Sequence, residues 1–358
     1  MPQPLGRDLE QTRARLLSWF AKRLPAAEEL RIDELHGPGA TGFSSDTLMF
    51  DLHSREAGER IERALVARLA PTSAFPVFPK YDIALQFDML SALADTPVPV
   101  PTVHWLERDA EPLGSPFYVM ERIDGLVPSD SPPYHTAGWL TELSPDARSK
   151  LWWSGLEAMS RVHTLDWQRP EFAFIERPAP DRTPIEHQLD YWDRYLDWGL
   201  ERERFSLADR GLTWLRENRP TAEPTAICWG DSRISNQIFD DCKCIAVIDW
   251  EMLFLGNPLA DLAWFITLDR CLSEGLGAPR LEGMPARDET VERWESLTGS
   301  RATHFQYYEV FAAFRFTVVM GRVFKQLKHY EIMPQDAEAD VHNMASATLE
   351  LLMSDVGA

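Results

Sequence analysis

The chain has 358 residues, of which 44% are hydrophobic and 26% charged, the balance of an ordinary globular protein with room for two separate cores. A formal net charge of −20 argues against nucleic acid as a partner, because a phosphate backbone needs a basic footprint. No apolar run is long enough to cross a bilayer. Residues 1–8 lack the apolar core of a signal peptide, so no membrane partner and a cytoplasmic location are expected. The four cysteines (Cys228, Cys242, Cys244 and Cys271) supply no second pair to complete a zinc site and read as reduced thiols. Nothing in the pattern gives an oligomeric state.

In chain order, Leu9, Leu16, Leu17 and Phe20 recur at helical spacing and predict a helix over residues 8–23. A Gly/Ser-rich turn, residues 37–47, precedes a strand at 48–52, an arrangement that lets backbone N–H groups approach a phosphate. A second strand at 64–69 carries Arg68. A helix over 81–94 is closed by Pro97, Pro99 and Pro101. Residues 117–120 read as a buried strand running into Glu121-Arg122-Ile123-Asp124-Gly125, and 127–145 as irregular chain. An amphipathic helix over 151–165 ends near His163, read as a packed structural histidine. A helix over 185–203 shows an apolar face (Leu189, Trp192, Leu196) and an acidic stripe (Asp190, Asp193, Asp197, Glu201). That stripe is either a solvated face or a wall for an aminated substrate. Strands at 225–228, 237–239 and 245–248 frame the most informative segment, and a long apolar helix over 307–327 reads as core.

That segment is Trp229-Gly230-Asp231-Ser232-Arg233-Ile234-Ser235-Asn236, followed by Ile248-Asp249-Trp250-Glu251. Asn236 lies five residues after Asp231, and Asp249 eighteen after it. Phosphoryl transfer needs one carboxylate to accept the proton of the attacking hydroxyl and further oxygen ligands to hold Mg2+ against the phosphates. A loop can aim Asp231 at an acceptor and Asn236 at a metal. A strand end can hold Asp249 rigidly as the second ligand. Arg233 has a fork suited to phosphate oxygens.

The segment resembles the aminoglycoside phosphotransferase family of the protein-kinase-like superfamily, whose pattern is His-Gly-Asp-x-x-x-x-Asn and then Ile-Asp-(Trp/Phe)-(Gly/Glu). It looks closest to a bacterial branch related to acyl-CoA dehydrogenase-associated phosphotransferases. Gly42-Phe43-Ser44-Ser45-Asp46-Thr47 is similar to the family's Gly-x-Ser-Asn-x-Thr flap. Residues 256–264, with Asp261, resemble its Gly-x-Pro-x-x-Asp-Leu-Ala, where the Asp caps or braces the catalytic loop. The resemblance implies an α+β, bilobal protein-kinase-like fold: a small β-rich N-lobe over residues 1–122 and a larger, mainly helical C-lobe over 123–358. It implies ATP and Mg2+, with Asp231 and Arg233 catalytic and Asn236 and Asp249 on the metal. Gly42, Ser44, Ser45, Arg68, Met120, Glu121 and Ile123 would bind the nucleotide. Asp82 and Gln86 are the alternatives for steadying Arg68. The implied reaction is transfer of a γ-phosphoryl group to a hydroxyl of a small molecule, an aminoglycoside or a hydroxyacyl or other hydroxylated metabolite. A nucleotide-binding protein without turnover is the alternative, motivated by Arg68 and Gln86 where the family has Lys and Glu. The family's His is replaced by Trp229, a bulky aromatic that can hold the same loop.

Overall fold

The computed structural model describes residues 7–37, 46–221 and 223–358. Helix α1 (Leu9–Arg23) starts at an Asp8 N-cap that accepts the Gln11 N–H, and it buries Leu16, Trp19 and Phe20. These side chains pack on a five-stranded antiparallel sheet built from β1 (Glu28–Ile32), β2 (Asp46–Glu56), β3 (Glu59–Leu69), β4 (Val103–Glu107) and β5 (Phe117–Glu121). The strand order is β1-β2-β3-β5-β4. The β2–β3 register sets Thr47 opposite Arg68, and the β3–β5 register sets Val66 opposite Met120. One core, including Leu48, Phe50, Leu65, Phe117 and Val119, lies between this sheet and α1.

Helix α2 (Ile83–Leu93) packs against the other side of the sheet, and its core is continuous with that of the helical remainder. That remainder comprises α3 (Trp139–Glu142), α4 (Pro145–His163), α5 (Pro184–Gly199), α6 (Ser206–Glu217), α7 (Leu259–Leu272), α8 (Arg287–Thr298), α9 (Phe305–His329) and α10 (Met344–Asp355). Two short antiparallel ribbons are set among these helices. One pairs β6 (Ala226–Cys228) with β9 (Phe254–Gly256), and the other pairs β7 (Gln237–Asp240) with β8 (Lys243–Val247). Helix α7 buries every residue but Arg270 and is apolar on nearly all sides, as a central core helix must be.

The β-rich part followed by a helical part is as the sequence implies. Several elements differ in extent. The helix expected over 185–203 stops at Gly199, because Glu201 and Arg202 take left-handed backbone conformations. That reversal returns Arg204 to α5, where it pairs with Asp193 and Asp197 at 2.8 Å each, while Arg216 reaches Asp193 at 2.8 Å. The acidic stripe is thus tied to α6 by arginines. Helix α4 begins earlier than expected, at Pro145, behind a Ser144 cap. The segment between β3 and α2 straps the sheet to the helices. Tyr195 donates to the Val77 carbonyl (2.6 Å), Arg322 to that of Pro76 (2.8 Å) and Gln326 to that of Phe75 (2.6 Å).

Candidate active site

The loop after β6 turns at Gly230, whose φ of +95° favours glycine. A Cβ there would lie 2.0 Å from the Met252 carbonyl oxygen, so no other residue fits without moving the β8–β9 connection. Asp261, in the first turn of α7, accepts the N–H groups of Trp229 (2.6 Å) and Gly230 (2.9 Å). It is the brace that the Asp-Leu-Ala motif implies. His163 lies behind it. Trp294 donates its indole N–H to His163 Nδ1 (2.9 Å), so the histidine's own proton is on Nε2, directed at Asp261 (3.1 Å). Trp229 donates its indole N–H to the carbonyls of Ile248 and Asp249, 3.0 Å each, and so ties the two halves of the motif together.

This frame presents Asp231, which is buried. Its Oδ1 accepts the indole N–H of Trp264 (2.8 Å) and its Oδ2 the amide of Asn236 (2.7 Å). A single 3-10 turn, Ile234–Asn236, brings Asn236 back to Asp231 across the five-residue spacing. Arg233 directs Nε at Asp231 (3.1 Å) and Nη1 at Asp130, whose other oxygen takes the Ser235 hydroxyl. Burial opposes the charge on Arg233, but Asp130, Asp231 and Asp249 outweigh it and hold its pKa above the ordinary arginine value.

Asp249 follows β8 in a left-handed conformation (φ +64°) and pairs with Arg68 at 3.2 Å. This corrects the expectation for Arg68. Neither Asp82 nor Gln86 pairs with it directly. Asp82 caps α2 and pairs with Lys80 (2.7 Å). Gln86 is buried 3.5 Å from the Tyr118 hydroxyl, and that hydroxyl also contacts Arg68. Arg68 is completed by Thr47 Oγ1 at 3.2 Å. Burial works against its charge, yet Asp249 and, more weakly, Glu251 keep its pKa raised. The same burial pushes the Tyr118 phenol up to about 12.

Met120 is buried in the sheet beside Val66 and Tyr118. At Glu121 the chain begins to leave the strand. The Glu121 N–H donates to the Thr102 carbonyl and that of Arg122 to Ala64, while Ile123 is half-buried. Gly42, Ser44 and Ser45 lie outside the described residues. Asp130, Trp264, Thr47 and Tyr118 are site contacts that sequence reasoning did not single out. Thr47, the last residue of the flap pattern, and Trp264, directly after the Asp-Leu-Ala motif, carried a positional signal, whereas Asp130 and Tyr118 carried none.

Among the described residues no group of three or more His, Cys, Asp or Glu side chains is arranged to hold a metal. The available donors are the Asn236 amide oxygen and the Asp249 carboxylate. The Asn236 nitrogen makes both bonds to Asp231, to its carboxylate (2.7 Å) and to its backbone carbonyl (3.0 Å), which turns the amide oxygen the other way. Two hard oxygen donors leave most of a coordination shell to phosphates and water, the manner in which proteins usually take Mg2+. The donor set fits that ion.

The sequence model of the phosphotransferase enzyme family matches residues 50–297, well over half of the chain. The chain belongs to this family. Solved structures agree on a kinase-like, bilobal α+β fold. One from Ralstonia eutropha, assigned provisionally as an aminoglycoside phosphotransferase, is 22% identical and superposes with a TM-score of 0.69 over 95% of this chain and 98% of its own. Aminoglycoside phosphotransferase APH(4)-Ia, in complex with ADP and hygromycin B, is 14% identical with a TM-score of 0.55 over 96% and 99%. Among curated proteins, mouse acyl-CoA dehydrogenase family member 10 is 27% identical over 74% of this chain but only 25% of its own length. The probable acyl-CoA dehydrogenase IBR3 of Arabidopsis thaliana is 26% identical over 80% of this chain and 35% of its own. The phosphotransferase chain therefore spans about a quarter to a third of these relatives. Among its described residues no helix is long and apolar enough to cross a membrane.

Proposed function

We propose that the protein is a cytoplasmic kinase for small molecules, transferring the γ-phosphoryl group of ATP to a hydroxyl, with its lobes divided near residues 122 and 123. Asp231 orients the acceptor hydroxyl and takes its proton as the new O–P bond forms and the bond to ADP breaks. Asn236 and Asp249 hold Mg2+, which neutralises charge on the phosphates when bound. Arg68 and Arg233 supply guanidinium forks for phosphate oxygens. The hinge backbone at Glu121 and Ile123, with Met120, would take the base, and the family pattern assigns Gly42, Ser44 and Ser45 to the phosphates.

The observation that carries this reading is the meeting of Asp231, Asn236, Arg233, Asp249 and Arg68, drawn from β3 and two separate loops, in one continuous polar cluster. ADP in a neighbour's complex supports the nucleotide. The acceptor is better read as a hydroxyacyl or other hydroxylated metabolite than as an aminoglycoside. The acidic stripe that could receive amines is already paired with Arg204 and Arg216, and the curated relatives carry acyl-CoA dehydrogenase names. One observation favours binding without turnover: both candidate phosphate-binding arginines are engaged by carboxylates, Arg68 by Asp249 and Arg233 by Asp130.

The deciding experiment follows nucleotide consumption, with ATP and separately GTP, across hydroxylated acids, acyl thioesters and aminoglycosides, comparing wild type with Asp231→Ala. Loss of a general base costs ~10^2 to 10^4 in rate. Nucleotide binding with no Asp231-dependent turnover on any acceptor would instead establish the binding role.

A further inference from the structure

We propose that Trp264 is a positioning residue for the Asp231 carboxylate and that Arg315 fixes it in that role, an inference that rests on the phosphotransferase reading above. Three side chains donate to Asp231, and two of them are shared. Arg233 also serves Asp130, and Asn236 also serves the Asp231 backbone carbonyl. Trp264 has one donor and gives it to Oδ1 at 2.8 Å. An indole accepts no proton, so it cannot compete with Asp231 as a base. Its rigid ring sets the carboxylate plane from the core side, while Asn236 holds Oδ2 from the opposite end.

Arg315, on α9, is fully buried. Its guanidinium lies 4.5 Å from the Trp264 ring centre, with Trp192, Phe311 and Phe254 at 5.2, 5.2 and 5.5 Å. Nη2 donates to the Gly230 carbonyl (2.8 Å), whereas Nε and Nη1 find no hydrogen-bond partner among the described residues. A cation buried with two donors unused is costly. The ring faces and the nearby Asp261 and Asp231 carboxylates offset that cost in part. Its position gives it two effects on Asp231. It holds the peptide group immediately before that residue. It also draws electron density from the indole face, which makes the N–H of Trp264 a stronger donor. A purely packing role would need neither the hydrogen bond nor the cation.

The test uses the full chain. Trp264→Phe keeps an aromatic ring and removes the N–H. In an indole 1H–15N spectrum of the thirteen tryptophans, Trp264 is the resonance missing from that variant, and it should move when Asp231→Ala is introduced into the otherwise wild-type protein. In steady-state assays with MgATP and an acceptor found in the panel above, Trp264→Phe should lower kcat about tenfold or more while the KM for MgATP stays within about twofold. In the Asp231→Ala background the same substitution should have no further effect, the non-additivity of residues that act through one another. Arg315→Lys, which keeps the charge and loses the fork, should show a smaller fall with the same non-additivity. It also serves as the second variant should Trp264→Phe not fold. An indole resonance indifferent to Asp231→Ala, or an equal fall in kcat in both backgrounds, overturns the proposal. If the wild type shows no Asp231-dependent turnover while the indole shift is present, the phosphotransferase reading falls and takes this proposal with it. Turnover with an additive cycle overturns this proposal alone.

Discussion

Asp261 offers the sharpest quantitative test of how the catalytic loop is held. Its carboxylate is fully buried and receives three donors: the Trp229 N–H at 2.6 Å, the Gly230 N–H at 2.9 Å and His163 Nε2 at 3.1 Å. Asp261→Ala would strand all three in a dry core. A buried donor left without a partner costs about 1–3 kcal/mol, and bonds to a charged acceptor lie at the upper end. One water entering the vacated volume could satisfy one or two of them. The expected loss is therefore about 3–5 kcal/mol, a large fraction of the roughly 5–15 kcal/mol that holds a typical domain. Asp261→Asn keeps one acceptor oxygen but turns an NH2 group toward donors, so about 1–3 kcal/mol is expected. Urea unfolding followed by tryptophan fluorescence gives the stability. Amide exchange at Trp229 and Gly230 shows whether the loss is local to the loop. A loss below about 1 kcal/mol for Asp261→Ala, with both amides still protected, would refute the argument that this carboxylate is the loop's anchor.

Gly230→Ala should be as damaging for a steric reason. The new Cβ would meet the Met252 carbonyl at 2.0 Å in a backbone conformation with φ of +95°, so a fall in urea midpoint together with loss of turnover is expected, and near-wild-type values of both would contradict the geometry. Asn236→Ala and Asp249→Asn should each remove the Mg2+-dependent part of ATP affinity. In calorimetry the two variants should bind ATP alike with and without EDTA, whereas wild type should lose affinity when the metal is stripped. Glu223 predicts a pH effect: burial pushes its carboxyl up from 4.5 to about 7. The folded protein then binds the extra proton between those pH values, so stability falls as pH rises from about 4.5 to 7 and levels off above. Because the group is half-buried, solvent screening reduces the effect to roughly 1–2 kcal/mol. Glu223→Gln should therefore gain on wild type at pH 8 and match it near pH 4.5, and equal differences at both pH values would contradict the assignment.

The motif residues were legible because their chemistry is local in sequence. Asp231 and Asn236 are joined by one turn, and Asp249 lies just past β8, the second strand of the hairpin that follows. The partner of Arg68 was not legible, because its ion pair spans 181 residues and depends on how the sheet sits over the β8 loop. Asp130 was hidden for a similar reason. It lies in a stretch with no periodic pattern and becomes a site residue only through its contacts with Arg233 and Ser235. That stretch is anchored from within the core. Tyr134 and His135 both bond Asp269 on α7 (2.7 and 3.0 Å), and Arg280 pairs with the same carboxylate. Burial works against the charge on Asp269, but His135 and Arg280 more than compensate and keep its pKa lowered. The end of α5 was misplaced because the acidic spacing runs on past its last residue, Gly199, to Glu201. The reversal at Glu201 and Arg202 is imposed by the tertiary pairing of Arg204 with Asp193 and Asp197.

Trp229 was expected to hold its loop from its place in the motif, but composition gave no hint of the roles of Trp264 and Trp294, since large aromatic residues are ordinarily core filling. Trp229 joins the catalytic loop to the segment bearing Asp249, Trp264 holds Asp231, and Trp294 sets the His163 tautomer that meets Asp261. Each is nearly or fully buried, yet each directs its single N–H at a defined acceptor, that of Trp229 being shared between two carbonyls. An amide or a cation in the same places would bring several donors into the core, and every unused one would cost free energy, as Arg315 illustrates with two. An indole has a single donor and a large apolar surface, so it can point one N–H at the loop and fill the space behind it. Trp229, where the family pattern has histidine, fits this rule. It supplies a donor to the two carbonyls at the end of β8 without introducing a second titratable group beside Asp231.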